Sequence, residues 1–462
     1  MQPTTPTKTP TLLAIAWPIF VEQSLRILIG TVDTFMVAHV SDGAVAALGV
    51  SHRLIMLALI CFNFIGIGTS VVITHHLGAG DRKGAESIAG TALGVNLWMG
   101  LLVSIPVFLF NAPLLRLMQL PDNLMVYAVP FLSLMGGTLF LEAINTAVGA
   151  ILRAHGNTRD VMFVTVGQNI LNVIGVSLVL FGFFGLPKFG VEGVAWASVF
   201  SRLVATTALL FLLHRRLGIR LHWRTPFTLS LERIRRILHI GLPAAGEHMT
   251  YWLALLTITG FIGSMGAESL SIMAYSQTVQ SLVILFSLSL GLGTEIVVGR
   301  MIGAGDFDGA YRQLLSSLKL CLLLTAGGMI IIAIIAPHLI GLFSHDPKII
   351  AGGALLLRLS LVLEIGRVFN IVVINSLRAT GDARFPMRVG ILCMWLIWVP
   401  NSWFMGLHLG WGLVGIWIAM TCDEWLRGLI MYNRWAKRRW LPFAERSRAE
   451  VMRNHVPVVN ET

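Results

Sequence analysis

Glu22, Arg26 and Asp33 stand inside one apolar stretch, Thr11–Val40, with Pro18 ahead of them. A charge within a bilayer costs roughly 2.5–3.5 kcal/mol on insertion scales, so three in one segment require mutual pairing or a function. Arg26 follows Glu22 by four residues, the order that favours an ion pair on one helix face. That pair neutralises both and leaves Asp33 as the lone titratable acid. Asp33 lies eleven residues beyond Glu22, about three turns or some 16 Å along a helix and on the same face. A membrane carboxyl without a local partner is suited to exchanging a proton, or to trading it for sodium. The plainer alternative is that Glu22 and Arg26 only lock the helix in place.

The rest of the chain supplies the elements that must hold these groups. Of 462 residues, 55% are hydrophobic and 12% charged, against about 25% charged in a soluble domain. Mean hydropathy is +0.77. This excludes a soluble fold and points to a polytopic, all-α membrane protein. The net charge of +11 does not mark a nucleic-acid binder, because the basic residues sit in short runs between apolar stretches. Twelve spans are expected, at 12–39, 48–76, 87–112, 124–152, 161–184, 191–215, 235–263, 269–299, 311–341, 349–377, 386–407 and 411–433. Every second connection is basic, from Arg82 and Lys83 to Arg378 and Arg384, while the alternate ones offer only Arg116, Lys188 and Lys348. The positive-inside rule then places both termini in the cytoplasm, with the protein in a plasma membrane of the bacterial inner-membrane type. The short polar start, MQPTTPTKTP, reads as a retained cytoplasmic tail. Cys61, Cys321, Cys393 and Cys422 are isolated in apolar segments and read as buried reduced thiols.

The chain repeats itself. LGAGDRKGA at 77–85 returns as IGAGDFDGA at 302–310, and LRAHGNTR at 152–159 as LRATGDAR at 377–384, both displaced by 225 residues. The same displacement lays Pro18 on Pro243, Glu22 on Glu247 and Asn145 on Asn370, and GVEG at 190–193 matches GLVG at 412–415 with three residues lost. The expected organisation is an N-terminal lobe at 1–225, a C-terminal lobe at 226–440 and a cytoplasmic tail at 441–462. Six helices per lobe give both the same orientation, related by a pseudo-twofold axis along the membrane normal, with substrate bound near the midplane. Asp33 falls on Ile258 and so belongs to the first lobe alone.

VDTFMVAHVSDGAVAALGVS after Pro18, the GAGD segment after helix 2, and LRAxG with a following arginine after helix 4 resemble the multidrug and toxic compound extrusion family. The doubled motifs stand in that family's order over nearly all of residues 11–435. The resemblance implies two six-helix lobes and antiport of sodium ions or protons against organic, often cationic, compounds. It implies that Asp33 is the acidic residue on which cation coupling depends. The DinF-like branch adds an asparagine and an aspartate four apart in helix 5; Asn172 matches the first, but Val176 stands in the second place. The NorM-like branch has a helix 7 glutamate where this chain has Tyr251, and a helix 10 aspartate where it has Arg367.

Glu247 and His248, the second-lobe counterparts of Glu22 and Gln23, would line a central cavity with Glu22, a negative lining suited to a cation. Braces for the bends at Pro18 and Pro243 are the competing reading. Arg26, Arg367, Asn145 and Asn370 complete the candidate substrate cavity, the asparagines also reading as hydrogen-bond links between helices. Glu364 with Arg367, and Asp423 and Glu424 with Arg427, read as local salt bridges, and Glu142 and Arg202 as a pair across helices. The GAGD loops read as helix stops, and His75–His76 as an interfacial pair rather than a metal site. Trp403, Trp411, Trp435 and Trp440 read as an aromatic belt. No cofactor is expected beyond sodium as an alternative coupling ion at Asp33. The expected partners are lipid, a small organic substrate and the coupling ion, with no nucleic acid, and the protein should work as a monomer. Competing functions are a flippase or metabolite exporter for an anionic or lipid-linked substrate, favoured by Arg26, Arg202, Arg367 and Arg427, and a membrane-embedded enzyme. No HExxH, GxSxG or P-loop supports the last.

Overall fold

A computed structural model describes residues 11–38, 41–182, 187, 189–219 and 229–455, and is helical throughout, with no strand among the described residues. In chain order the helices are α1 (Leu12–Ala38), α2 (Asp42–Gly78), α3 (Arg82–Leu109), α4 (Asn111–Leu117), α5 (Met125–Gly137), α6 (Leu139–Ala154), α7 (Thr158–Phe181) and α8 (Gly190–Leu217). There follow α9 (Leu231–Ser264), α10 (Ala267–Ala304), α11 (Phe307–Gly341), α12 (Pro347–Ala379), α13 (Arg384–His408), α14 (Gly412–Ala436) and α15 (Leu441–His455). Among the described residues nine are long and apolar enough to cross a membrane, and α5 and α6, bent by 43°, form a tenth span. Helices α9 and α14, at 34 and 25 residues, are long enough but carry more charge, including Glu247 in α9 and Asp423, Glu424 and Arg427 in α14. The predicted lobe boundary at 225/226, the residues 1–10 of the tail, Lys188 and residues 456–462 lie outside the described residues.

Local chemistry sets several helix ends. Asp306, the last residue of the second GAGD, accepts a hydrogen bond from the Gly309 N–H at 2.8 Å and caps α11. Asp346 does the same for α12 through Lys348 N–H, with Pro347 at the first helical position. Gly305 ends α10 at φ +83°, a left-handed conformation that glycine adopts without strain.

The described residues form two compact units. One holds residues 21–73 and 82–242; the other holds those up to Phe20, Thr74–Asp81, and those from Pro243 onward. Each unit therefore borrows the first part of a helix from the other sequence half, and the borrowed parts end close to Pro18 and at Pro243. Glycines permit both exchanges. In the N-terminal unit Gly68 of α2 lies against the backbone of Ile237, and Gly241 of α9 against Phe64. In the C-terminal unit Gly293 of α10 lies against Leu12 and Ala16, the residues that the 225-residue displacement makes equivalent to Ile237 and Gly241. The end of α2 is likewise buried in the C-terminal unit, Gly78 meeting the Arg300 backbone and Gly303 the His75 backbone.

A side chain at Gly68 would push backbone apart rather than a flexible tip. We expect Gly68→Leu to lower stability by about 1–3 kcal/mol or more. Gly260→Ala, which meets nothing within 4 Å, should be neutral or stabilising. Thermal unfolding in detergent micelles compares the two.

Three smaller expectations need correction. Trp403 and Trp411 are exposed, but Trp435 and Trp440 are fully buried and stacked on each other with centroids 4.5 Å apart, so they anchor α15 and form no belt. His75 and His76 are buried rather than interfacial, because the end of α2 is packed among helices. His75 Nε2 lies 2.6 Å from the Ala379 carbonyl and His76 Nδ1 2.8 Å from Asp81. The cysteines are free, but only Cys321 and Cys393 are buried; Cys61 is half-buried and Cys422 exposed.

Candidate functional site

The two halves place an ion pair at the same point. Glu22, one turn after Pro18, receives Arg153 of the first LRAxG motif at 2.9 Å, and Glu247, one turn after Pro243, receives Arg378 of the second at 2.7 Å. Both carboxylates are buried. The motif arginine, which from sequence serves only to mark loop orientation, is thus the partner of the repeated glutamate. Each pair ties a helix just past its proline to the end of a second helix. The neighbouring His248 is exposed.

In the N-terminal unit the pairing continues. Arg26 reaches back to Glu22 at 3.1 Å, as its spacing predicts, and also contacts Glu142 of α6 at 3.4 Å. Glu142 in turn meets Arg202 of α8 at 3.2 Å, an ionic contact without hydrogen-bond alignment, so that Arg202 Nε and Nη1 lack hydrogen-bond partners among the described residues. Arg202 is also the charge that bears on Asp33. Asp33 is 6% exposed, and its Oδ1 has no hydrogen-bond partner among the described residues. Asn172 is fully buried and donates to Ser198 at 2.9 Å, and its Oδ1 has no hydrogen-bond partner among the described residues. Val176, in the place of the DinF-like aspartate, belongs to the apolar core of this unit. His52 of α2, which sequence reading passed over, has a buried Nε2 without a hydrogen-bond partner among the described residues and lies edge-on to Phe131 at 5.5 Å. A lone histidine in an apolar helix carried no spacing signal.

The C-terminal unit carries a denser network. Arg367 of α12 contacts both Glu364 and, at 3.3 Å, Glu424 of α14, while Arg427 holds Asp423 at 2.8 Å and Glu424 at 3.2 Å. Gln280 donates to Glu364 at 2.6 Å and Asn370 to Glu424 at 2.7 Å. All five charged side chains are buried. Tyr251 stacks on Trp398 at 5.6 Å and faces this network. Asn145, the first-half partner of Asn370 in the repeat, has a buried Oδ1 without a partner among the described residues. Arg367 is thus shared between two carboxylates.

The networks are related by an inversion of charge. Glu142 and Arg367 are equivalent by the 225-residue displacement, and Arg202 and Glu424 each stand twelve residues after the first glycine of GVEG or GLVG. The first half joins its helices through Glu142–Arg202 at 3.2 Å, the second through Arg367–Glu424 at 3.3 Å. The geometry is kept and the polarity reversed.

Outside the spans, Asp382 of the second LRAxG motif accepts from Arg434 at 2.5 Å. Burial pushes its carboxyl above the ordinary range, while Arg434 and the Phe385 N–H oppose that rise. Among the described residues no three His, Cys, Asp or Glu side chains gather closely enough to hold a metal ion. The buried side-chain atoms of Asp33, Asn172, His52 and Arg202 that lack hydrogen-bond partners among the described residues all belong to the N-terminal unit.

Comparison with known proteins agrees with this architecture. The family model MatE matches residues 18–178 and 243–404, one copy in each half. A Bacillus subtilis protein described as the uncharacterized transporter YisQ is 41% identical over 434 residues, covering 94% of this chain and 95% of its own length. A Thermotoga maritima protein described as a probable multidrug resistance protein, NorM, is 26% identical, covering 92% and 93%. A crystal structure of MATE in a bent conformation superposes with a TM-score of 0.86 at 20% identity, over 94% of this chain and 96% of the other. The chain belongs to the MatE family and is a multi-pass membrane transporter, not an enzyme.

Proposed function

We propose that the protein exports organic, cationic or amphipathic compounds from the cytoplasm by alternating access, in exchange for protons or sodium ions. The observation that carries this reading is Asp33: a buried carboxylate inside a membrane helix, with one oxygen unpaired among the described residues and no counterpart in the second half. Such a group is costly to keep unless its charge changes in use. Neutralising Asp33 from outside alters its helix and lowers affinity for substrate, and reciprocity of linkage then lets substrate expel the ion. Asn172, 1% exposed in the same unit, supports a bound ion at Asp33. Both termini are cytoplasmic in this reading, in a bacterial plasma membrane, and one chain suffices for transport.

A second reading, export of an anionic or lipid-linked compound, is favoured by Arg26, whose side chain is 40% exposed while its acidic partners Glu22 and Glu142 are buried. Flux in inside-out vesicles, with sodium and pH gradients imposed separately, tests both. A cationic dye should be driven by one gradient in wild type and by neither in Asp33→Asn. Undiminished driven flux in Asp33→Asn would remove the coupling role, and driven flux of an anionic probe alone would favour the second reading.

A further inference from the structure

The end of α2 belongs to the first sequence half but packs in the C-terminal unit, against α10. Thr74, His75 and Gly78 of α2 are equivalent, by the 225-residue displacement, to Gly299, Arg300 and Gly303 of α10. A Cβ at Gly299 would strike Thr74, one at Gly78 the Arg300 carbonyl, and one at Gly303 the His75 carbonyl. The two helices thus cross by equivalent faces, and small residues four apart on each bring the backbones together. A directed contact is added: His75 Nε2 lies 2.6 Å from the carbonyl of Ala379, in the second LRAxG motif at the end of α12. A carbonyl only accepts, so Nε2 carries the proton and donates. Helix α15, which lies beyond the residues matched by the family model, is seated on the same helix ends. Ala444 of α15 and Trp440 just before it are fully buried in one apolar cluster with Ile302 of α10 and with Leu377 and Ala379 of α12. Ser447 Oγ donates to the Thr380 carbonyl at 3.3 Å and lies over Gly381, and the Arg448 guanidinium lies over Gly305. A Cβ at Gly80, the first-half equivalent of Gly305, meets nothing within 4 Å among the described residues.

We propose that the end of α2 is a latch on the cytoplasmic side of the transport cycle, that His75 is its bolt, and that α15 is a strap holding the seat of the latch in shape. This rests on the alternating access and the cytoplasmic termini proposed above. Two halves that rock about a central site must break their mutual cytoplasmic contacts once in each cycle. The end of α2 meets α10 and α12 across that division of the sequence. Its glycine contacts involve no charged side chain, so parting them exposes none, and the His75 hydrogen bond sets how firmly the seam closes. The seat outlasts the parting. Ser447 on Thr380 and Arg448 over Gly305 tie the end of α12 to the end of α10 without using α2 at all. Without α15, those two ends are free to drift apart, and α2 returns to a looser seat.

The first test needs no substrate. Thr74 is fully buried, so a cysteine there is reached by an impermeant thiol reagent on the cytoplasmic side when α2 leaves its seat. Thr74→Cys is made in the full chain with its four native cysteines replaced, in inside-out vesicles. Labelling should be slow, and His75→Leu should speed it about five- to tenfold, the scale of one lost buried hydrogen bond. His75→Gln, whose amide nitrogen takes the place of Nε2, should keep it slow. Ser447→Ala/Arg448→Ala should speed it severalfold, and removal of residues 441–462 at least as much; the double substitution decides the strap where the truncated chain does not accumulate. The second test joins Thr74→Cys to Gly299→Cys by oxidation, followed by loss of free thiols. The joined protein should export no cationic dye and should recover on reduction. Unchanged labelling in His75→Leu overturns the bolt, and unchanged labelling in Ser447→Ala/Arg448→Ala overturns the strap. Undiminished export by the joined protein overturns the latch and leaves the export reading standing. If the cysteine-free parent moves no dye, the export reading fails while the labelling rates still decide the latch.

Discussion

Arg378→Gln should destabilise the protein by about 3–5 kcal/mol, the cost of leaving one partner of a buried ion pair charged and alone. Glu247 has Arg378 at 2.7 Å as its ion-pair partner, in a site where both side chains are buried. Its first-half equivalent is better supported, since Glu22 keeps Arg26 at 3.1 Å when Arg153 is lost. Arg153→Gln is therefore expected to cost distinctly less than Arg378→Gln, despite identical placement in the repeat. Adding Glu247→Gln to Arg378→Gln should restore most of the loss, because two neutral amides carry no buried charge. Thermal unfolding of the purified variants in one detergent orders them. Equal losses for Arg153→Gln and Arg378→Gln would show that the extra partner at Glu22 contributes nothing.

That pair also marks how far the sequence could be read. The all-helical membrane architecture, the two halves and the transporter class were legible because apolar length, basic loops and a fixed displacement each act over hundreds of residues. The Glu22–Arg153 and Glu247–Arg378 pairs were legible in principle, since both members recur at the same displacement, but displacement alone does not say which repeated residues touch. The exchange of first-helix ends was not legible. It depends on Gly68 and Gly293 letting backbones approach, and a glycine in an apolar helix looks the same whether it meets a neighbour or nothing, as Gly260 does. Trp435 and Trp440 failed for a related reason: an aromatic near a helix end fits a lipid interface or the underside of a following helix equally well until α15 is seen. Asp33 was found because a charge in an apolar segment stands out without any partner. His52 escaped notice because it has none of that cost when neutral.

The largest single effect is expected at Arg367. Three buried carboxylates, Glu364, Asp423 and Glu424, face two guanidinium groups, Arg367 and Arg427. Arg367→Gln leaves three acids on one base, in a place where a unit charge pair at 4 Å is worth about 4 kcal/mol at an effective dielectric of 20. Loss should exceed that of Arg378→Gln, enough to abolish accumulation of folded protein. Arg367→Lys should rescue little, because a single ammonium does not reproduce a planar fork shared between Glu364 on its own helix and Glu424 on another. Adding Glu364→Gln to Arg367→Gln should recover more than the lysine does, since it removes the acid that Glu424's other partner, Arg427, does not serve. The inverted pair of the first half gives the contrast. Arg202→Gln leaves Glu142 with Arg26 at 3.4 Å, so folding should persist. Membrane accumulation of Arg367→Gln, Arg367→Lys, Glu364→Gln/Arg367→Gln and Arg202→Gln, measured side by side, decides whether one geometry with reversed charge bears more of the fold's stability in the second half than in the first.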